Sequence, residues 1–267
     1  VKLVASVALL WGLIELGMID LGAIVEIAAH PTTALMAMVL VALGLVVAAV
    51  RWHLLLRAVS VDIGFRTVLN VVILSLLAGM ILPGTVSSES VRVGYVVLRQ
   101  SGQRSVLIAT IIFDRMMGLL GLSIIGALLV LPVLGRVLDV PELLLLSIGM
   151  WMLPLAIVAT IGVAWATVSF VFRKLSKLTE ESKWWMVRSI ARVLEALRIY
   201  RTKWSIVALA AAQSLLIHAL GIVALLLLSS QMLVGQLGFW EAAFATPVAL
   251  LSNLIPLTPG GFGIGEA

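Results

Sequence analysis

Long apolar stretches follow one another along this chain, and short clusters of charged and turn-forming residues separate them. About 20 apolar residues in helical conformation are enough to cross a bilayer. Two further apolar stretches run into a proline, at 68–82 and 239–255, and residues 87–100 have the pattern of a short helix. We therefore predict an all-α fold, a polytopic transmembrane helical bundle. Its full predicted spans are residues 3–18, 33–56, 106–131, 143–172 and 206–228.

The composition predicts one membrane domain that covers residues 1–267. The chain is 62% hydrophobic and 12% charged, and its mean hydropathy is +1.21. Soluble domains are about 45–50% apolar and about 25% charged, so an ordinary soluble domain is excluded. Because Ala267 comes shortly after a Pro-Gly break, we expect a further helix beyond it.

Two predicted helix breaks draw attention to function. The first, Pro83-Gly84, precedes Glu89 and Arg92; the second repeats a Leu-rich lead-in, Pro-Gly, small residues and an acid. Lipid cannot hydrogen-bond the freed backbone, so each break needs surrounding protein or a water-filled cavity. Paired breaks indicate a transporter's substrate site, and two proline kinks in ordinary bundle helices are the alternative. The second break contains Pro256, Pro259, Gly260, Gly261, Gly263 and Glu266.

The distribution of basic residues predicts the orientation in the membrane. Of the 18 Lys and Arg residues, 16 fall at the N-terminus and in the regions 51–66, 92–104 and 173–203. Cytoplasmic loops carry an excess of Lys and Arg, so we predict a cytoplasmic N-terminus and an inner (plasma) membrane location. The first broken segment must then enter from the cytoplasm and return there, whereas the second enters from the exterior. Two such re-entrant broken helices would form an inverted repeat.

Residues 173–203 are strongly charged, and we predict a cytoplasmic amphipathic segment there. Apolar residues recur at helical spacing on one face, and basic residues lie on another. Basic clusters beside apolar residues attract anionic lipid headgroups. The segment is therefore either a helix on the membrane surface or a solvated connector between spans.

Asp114 and Arg115 are adjacent charges inside a predicted span. Each charge near the centre of a membrane helix costs about 2.5–3.5 kcal/mol on insertion scales. Adjacent residues on a helix do not face each other, so each needs a partner elsewhere. The candidate pairs are Arg115 with Glu89 or Glu266, and Asp114 with Arg92. Because a guanidinium offers phosphate a fixed fork of donors, Arg92 and Arg115 are candidates for binding an anionic headgroup; a structural ion network is the alternative.

Other chemistry is sparse in this sequence. The chain has no cysteine, and its three histidines lack the spacing of metal ligands. We therefore predict no metal site, no cofactor, no catalytic residue and no nucleic-acid partner, which favours a transporter over an enzyme. Gln213, Ser214 and His218 lie in a predicted span, where such side chains form hydrogen bonds between helices.

These motifs resemble those of the lysylphosphatidylglycerol synthase transmembrane-region family, the flippase-like domain of the multiple peptide resistance factor and its stand-alone relatives. The resemblance covers nearly the whole chain, and the last motif, Pro-x-x-Pro-Gly-Gly-x-Gly-x-x-Glu, is the most specific. Ser87-Ser88-Glu89 departs from the usual Gly-Gly-Asp, and the chain stops where the family continues into further helices. The matching positions are Pro83, Gly84, Glu89, Arg92, Asp114, Arg115, Pro256, Pro259, Gly260, Gly261, Gly263 and Glu266.

The resemblance implies binding and translocation of a polar or anionic lipid, or of a lipid-linked glycan precursor, across the inner membrane. Residues 1–267 include no aminoacyl-transferase domain, so lipid aminoacylation is not implied. The alternative is a membrane enzyme or an accessory subunit of a glycosyltransferase or lipid synthase, acting on polyprenyl-linked or phospholipid substrates. Glu89, Asp114 or Glu266 would then serve as a base. The expected partners are the bilayer, the lipid itself and, in the alternative, that separate enzyme.

Overall fold

The computed structural model describes residues 29–81, 91–95, 104–181, 185–232 and 238–252. These residues are helical almost throughout and include no strand, so the predicted all-α fold is confirmed. A helical segment at 91–95 precedes α3, and a 3-10 turn, Leu131–Val133, joins α3 to α4. The helices are α1 (Pro31–Ala58), α2 (Phe65–Ile81), α3 (Arg104–Val130), α4 (Leu134–Asp139), α5 (Pro141–Glu181), α6 (Trp185–Thr202), α7 (Trp204–Met232) and α8 (Phe239–Ser252).

Within the described ranges, four helical stretches are long and apolar enough to cross a membrane, which confirms a multi-pass membrane protein. Helices α2 and α8 are apolar but shorter. Large apolar side chains are exposed along α1 and α5, as expected where lipid replaces water around the bundle. The two break motifs, around Pro83-Gly84 and Pro259-Gly260, lie outside the described residues. The re-entrant helices and the inverted repeat therefore stay predictions.

Helix α3 lies at the centre of the bundle and contacts α1, α5, α6, α7 and α8. It is also the most deeply buried of the four long apolar stretches. Its contact with α7 depends on small residues, because a Cβ atom added at Gly121 would lie 2.6 Å from Cβ of Ser214. Such close approach is typical of membrane bundles, in which van der Waals packing and hydrogen bonds hold helices together.

The predicted cytoplasmic segment consists of the end of α5, which runs past residue 173 to Glu181, and of α6. Tyr200 at the end of α6 is fully buried, and its ring stacks on Phe113 with the centroids 4.4 Å apart. Its hydroxyl donates to the carbonyl oxygen of Leu55 at 3.1 Å. Lys203 donates to the carbonyl oxygen of Ala58 at 2.8 Å, at the end of α1. The last turns of α6 therefore pack onto the bundle, and membrane-surface binding by the rest of the segment stays a prediction.

An ion pair joins α4 to α8 at the other end of the bundle. Nη1 of Arg136 lies 2.9 Å from Oε1 of Glu241, and the Arg136 side chain is largely exposed. Their contact places the start of α8 beside α4 at this end of the bundle. Exposed pairs of this kind contribute about 0–1 kcal/mol, so this pair adds little to the stability of the fold.

Candidate functional site

A buried cluster of charged side chains lies where α1, α3, α7 and the segment 91–95 meet. Asp114 is at its centre, and only 2% of this residue is exposed. Its Oδ1 accepts a hydrogen bond from Nε of Arg51 at 2.7 Å, and its Oδ2 accepts one from Nη1 of Arg92 at 2.9 Å. Arg51 also donates through Nη1 to Oγ of Ser214 at 2.6 Å. One carboxylate thus holds two guanidiniums from separate parts of the chain.

The cluster lies well inside the bundle. Arg51 precedes the end of α1 by seven residues, whereas Asp114 and Ser214 each follow the start of their helix by ten. At 1.5 Å per residue, these positions are about 10–15 Å from the helix ends. The hydrocarbon core of a bilayer is about 30 Å thick. Ionisable groups at such a depth are costly and commonly mark a substrate or ion pathway.

Arg92 has a second contact, with an aromatic ring of α1. Its Cζ atom lies 5.1 Å from the centroid of the Trp52 ring, a distance at which the cation is attracted to the aromatic face. Trp52 is only 1% exposed, and 13% of the Arg92 side chain is exposed. Two buried donors of this pair, Nε of Arg92 and Nε1 of Trp52, have no hydrogen-bond partner among the described residues. Arg92 is therefore the more exposed arginine of the cluster, and its Nε–H is available for a further acceptor.

Hydrogen bonds between α3 and α7 support the cluster from one side. Nε2 of His218 donates to the carbonyl oxygen of Gly118 at 2.9 Å, one turn along α7 from Ser214. Gly118 also lies beside Arg51, and a Cβ atom there would be in ordinary van der Waals contact with its Nη2, at 3.8 Å. The prediction that Ser214 and His218 form hydrogen bonds between helices is confirmed. Gln213 belongs to the same prediction, but its buried Oε1 has no hydrogen-bond partner.

An apolar cavity of about 220 Å³ lies between α3, α5 and α6. No charged side chain lines it, and the hydroxyl of Thr160 is bound to the carbonyl oxygen of Ala156 in its own helix. Since Ile112 and Met116 face this cavity, it lies on the opposite side of α3 from Asp114. A cavity of this character accommodates hydrocarbon but not a charged headgroup. Its lining is Ala109, Ile112, Phe113, Met116, Thr160, Ile161, Ala164, Trp165 and Leu197.

Comparison with protein families gives one result for this chain. The sequence model described as Lysylphosphatidylglycerol synthase TM region matches residues 1–267, the whole length. The chain belongs to this family. Comparison with curated proteins found no match, and neither did comparison with solved structures. Family membership agrees with the apolar helices of the structure.

The structure brings together two of the residues that the family motifs select. Asp114 and Arg92 form the ion pair that was predicted for them, and their contact confirms this pairing. Arg115 is half-buried on α3 and is also engaged in an interaction. Glu89 and the residues of the second break lie outside the described ranges, so their places in the site stay predictions.

Arg51 is the main residue of the site that sequence reasoning missed. It was interpreted as a loop charge at the end of a span, but α1 continues for about two further turns and buries it, leaving 7% exposed. Arg92 was likewise counted as a loop charge and lies in the cluster. With both removed from the count, 14 of the remaining 16 basic residues still fall in the predicted cytoplasmic regions. The predicted orientation is therefore unchanged. The available signal was Asp114 itself, since a buried carboxylate has two oxygens and needs more than one donor.

Proposed function

We propose that this member of the lysylphosphatidylglycerol synthase TM family binds the headgroup of an anionic lipid, or of a lipid-linked glycan precursor, and moves it across the inner membrane. The observation that carries the proposal is the charge of the buried cluster. Its described side chains set two guanidiniums, Arg51 and Arg92, against the single carboxylate of Asp114. A buried charge without compensation is unfavourable, and an anionic headgroup would supply the missing negative charge.

The two arginines have different parts in this proposal. Arg51 is held by two short hydrogen bonds, to Asp114 and to Ser214, and is the more deeply buried. Arg92 makes one hydrogen bond to Asp114 and retains an unpaired donor. Arg92 is therefore the residue that binds the headgroup, through the donor that Asp114 does not use, with Arg115 as a second contact. The acyl chains stay in lipid while the headgroup passes through protein, which lowers the cost of carrying charge across hydrocarbon.

The path of the chain around the first break supports a re-entrant segment in this mechanism. Helix α2 begins at Phe65, a short turn after the end of α1. Arg92 then contacts Trp52 and Asp114, which lie in the half of the bundle nearer to that same end. The chain therefore leaves this end after Phe65 and is back near it at Arg92.

A labelling experiment tests this topology. We expect a cysteine at Ser101 to react with a membrane-impermeant maleimide from the cytoplasmic side, and a cysteine at the exposed Asp139 to react from the exterior. The natural chain has no cysteine, so every label reports the introduced position. Labelling of Ser101 from outside alone would contradict the re-entrant path.

The function itself is tested with purified protein in liposomes. We expect fluorescent phosphatidylglycerol to change leaflets faster than in protein-free liposomes, measured by dithionite quenching with and without a proton or sodium gradient. Arg92→Gln should abolish the increase, whereas Arg136→Gln, which alters an exposed ion pair far from the cluster, should preserve it. The proposal would be overturned if neither phosphatidylglycerol nor a polyprenyl phosphate changed leaflets faster than in protein-free liposomes under any gradient. Movement that requires an added glycosyltransferase or lipid synthase would instead support the accessory-subunit alternative.

A further inference from the structure

Two buried donors of the ion cluster lie on groups that contact each other. They are Nε of Arg92 and Nε1 of Trp52, and neither has a hydrogen-bond partner in the part of the chain that the structure describes. The guanidinium carbon lies 5.1 Å from the centroid of the indole ring. Because Nε is bonded to that carbon and Nε1 belongs to that ring, the two donors lie on the two sides of one contact. A buried donor without an acceptor is unfavourable. Two such donors at one contact therefore indicate a site that binds an acceptor.

We propose that Trp52 and Arg92 form a phosphate subsite, in which Nε1 and Nε each donate to an oxygen of one phosphate group. The inference deepens the proposed function and rests on it for the assumption that this phosphate belongs to a lipid. Arg51 is the positioning residue of the subsite. It holds one oxygen of Asp114, so that the other oxygen is directed at Arg92 and fixes the guanidinium over the Trp52 ring.

The charge and chemistry of the surrounding groups favour phosphate as the ligand. The side chains at the subsite carry two positive charges and one negative charge, and Ser214 already accepts from Arg51. Arginine is suited to phosphate because it keeps its charge and its hydrogen bonds to phosphate are charge-assisted. Phosphate is also the anionic group that phospholipids and polyprenyl phosphates share, so the same subsite fits both candidate substrate classes.

The test removes the indole N–H. Trp52→Phe keeps an aromatic face under Arg92 and removes the donor together with part of the ring. Trp165 provides a control for the change of residue, because its Nε1 is also buried without a partner among the described residues but lines the apolar cavity on the other side of α3. Because each substitution also removes ring volume, the melting temperature of each ligand-free variant is measured beside its binding.

The measurement is binding of dioleoyl phosphatidylglycerol to the full-length protein in detergent micelles. We expect Trp52→Phe to weaken binding roughly tenfold, the effect of losing one hydrogen bond to a charged group. Trp165→Phe should leave it unchanged. Arg92→Lys, which keeps the charge but lacks Nε, should weaken it at least as much as Trp52→Phe. Unchanged binding in Trp52→Phe, or equal weakening in the two tryptophan variants, would overturn the subsite.

Soluble probes separate a lipid phosphate from a free one. Competition by glycerol 3-phosphate or by inorganic phosphate that Trp52→Phe abolishes would show that the phosphate alone is recognised. Binding of intact lipid without such competition, but with the same dependence on Trp52, would show that the lipid is the source. Oleate that binds with equal strength and the same dependence would overturn the choice of phosphate over carboxylate.

The outcomes also separate this inference from the proposed function. Fast lipid movement together with normal phosphatidylglycerol binding by Trp52→Phe would overturn the subsite and leave translocation standing. Trp52-dependent binding without any lipid movement, under every gradient, would overturn translocation and leave the subsite standing.

Discussion

Asp114→Asn is the substitution that should destabilise the described bundle most strongly. It removes the carboxylate that both Arg51 and Arg92 contact, while it keeps the size and the shape of the side chain. The free energy of unfolding should therefore fall because of lost charge pairing and not because of a cavity. The cluster connects α1, α3 and the segment 91–95, so the effect should be global.

The magnitude follows from the burial of the two arginines. Removing one partner of a buried ion pair costs about 3–5 kcal/mol, since the remaining charge stays buried without compensation. Arg51, at 7% exposed, is the residue to which this cost applies, whereas Arg92 is the more exposed and contributes less. The amide oxygen of Asn still accepts one hydrogen bond from a guanidinium, which recovers about 1.5–3 kcal/mol. The difference between these ranges is centred on a net loss of about 2 kcal/mol, which is below the range for a broken buried pair.

Equilibrium unfolding of the purified protein in mixed detergent micelles would measure this loss. Arg51→Met and Arg92→Met each leave Asp114 with one partner, so both should cost less than Asp114→Asn, and Arg92→Met should cost the least. In the double variant Arg51→Met/Asp114→Asn, the methionine removes the stranded charge, so the two losses should be clearly less than additive. A change below about 0.5 kcal/mol for Asp114→Asn, or strict additivity in the double variant, would refute the reasoning. The rates of lipid movement should not follow this ranking of stability, because Arg92→Met should fold well but move lipid poorly.

Three further outcomes are expected. Arg115→Lys should fold normally but move lipid poorly, because lysine keeps the charge and loses the bidentate fork; a stable Arg115→Ala variant with normal lipid movement would contradict any important role. Gly121→Ala should destabilise the α3–α7 contact by about 1–3 kcal/mol through overpacking, whereas Gly162→Ala, at a position with open space, should be neutral in the same unfolding assay. Burial raises the pKa of Tyr200 above its ordinary value of 10.0, with Asp114 as the smaller cause. The unfolded tyrosine therefore ionises first, so stability present below about pH 10 is lost as the pH rises above it. Tyr200→Phe should flatten this decline and cost about 1 kcal/mol at pH 8, where the hydrogen bond to Leu55 is lost; an equally steep decline in the variant would contradict the assignment.

The membrane helices could be predicted from the sequence because one physical requirement dominates them. An apolar stretch of sufficient length must be helical to satisfy its backbone in lipid, so length and hydropathy alone identified α1, α3, α5 and α7. The surroundings of the charges near their ends were harder to predict. The predicted span 33–56 ends two residues before α1 does, yet Arg51 within it was counted as a loop charge, whereas contacts from Tyr200 and Lys203 hold these last turns against the bundle. These contacts come from a distant part of the chain, which an apolar pattern does not report.

The same limit explains which part of the site could be predicted. Asp114 inside an apolar stretch has few ways to be stabilised, and Arg92 lies in a motif near it in sequence, so their pairing could be predicted. Arg51 lies 63 residues before Asp114 and looked like an ordinary charge flanking a span. The unpaired donor of Trp52 was beyond prediction altogether, because whether an N–H finds an acceptor depends on the packing of several helices.

The position of the cluster along the helices places the proposed site nearer to one end of the bundle. Arg51, Asp114 and Ser214 lie nearer to the end of the bundle that carries Lys203 than to the end that carries Arg136 and Glu241. With the predicted orientation, a headgroup in the cytoplasmic leaflet is the closer one, and it meets Arg92 at the more open side of the cluster. The buried pair of Arg51 and Asp114 keeps the site formed when Arg92 binds a ligand, because Asp114 retains one guanidinium throughout. The proposed function thus gives the two arginines on one carboxylate different roles: Arg51 maintains the fold, and Arg92 binds the lipid.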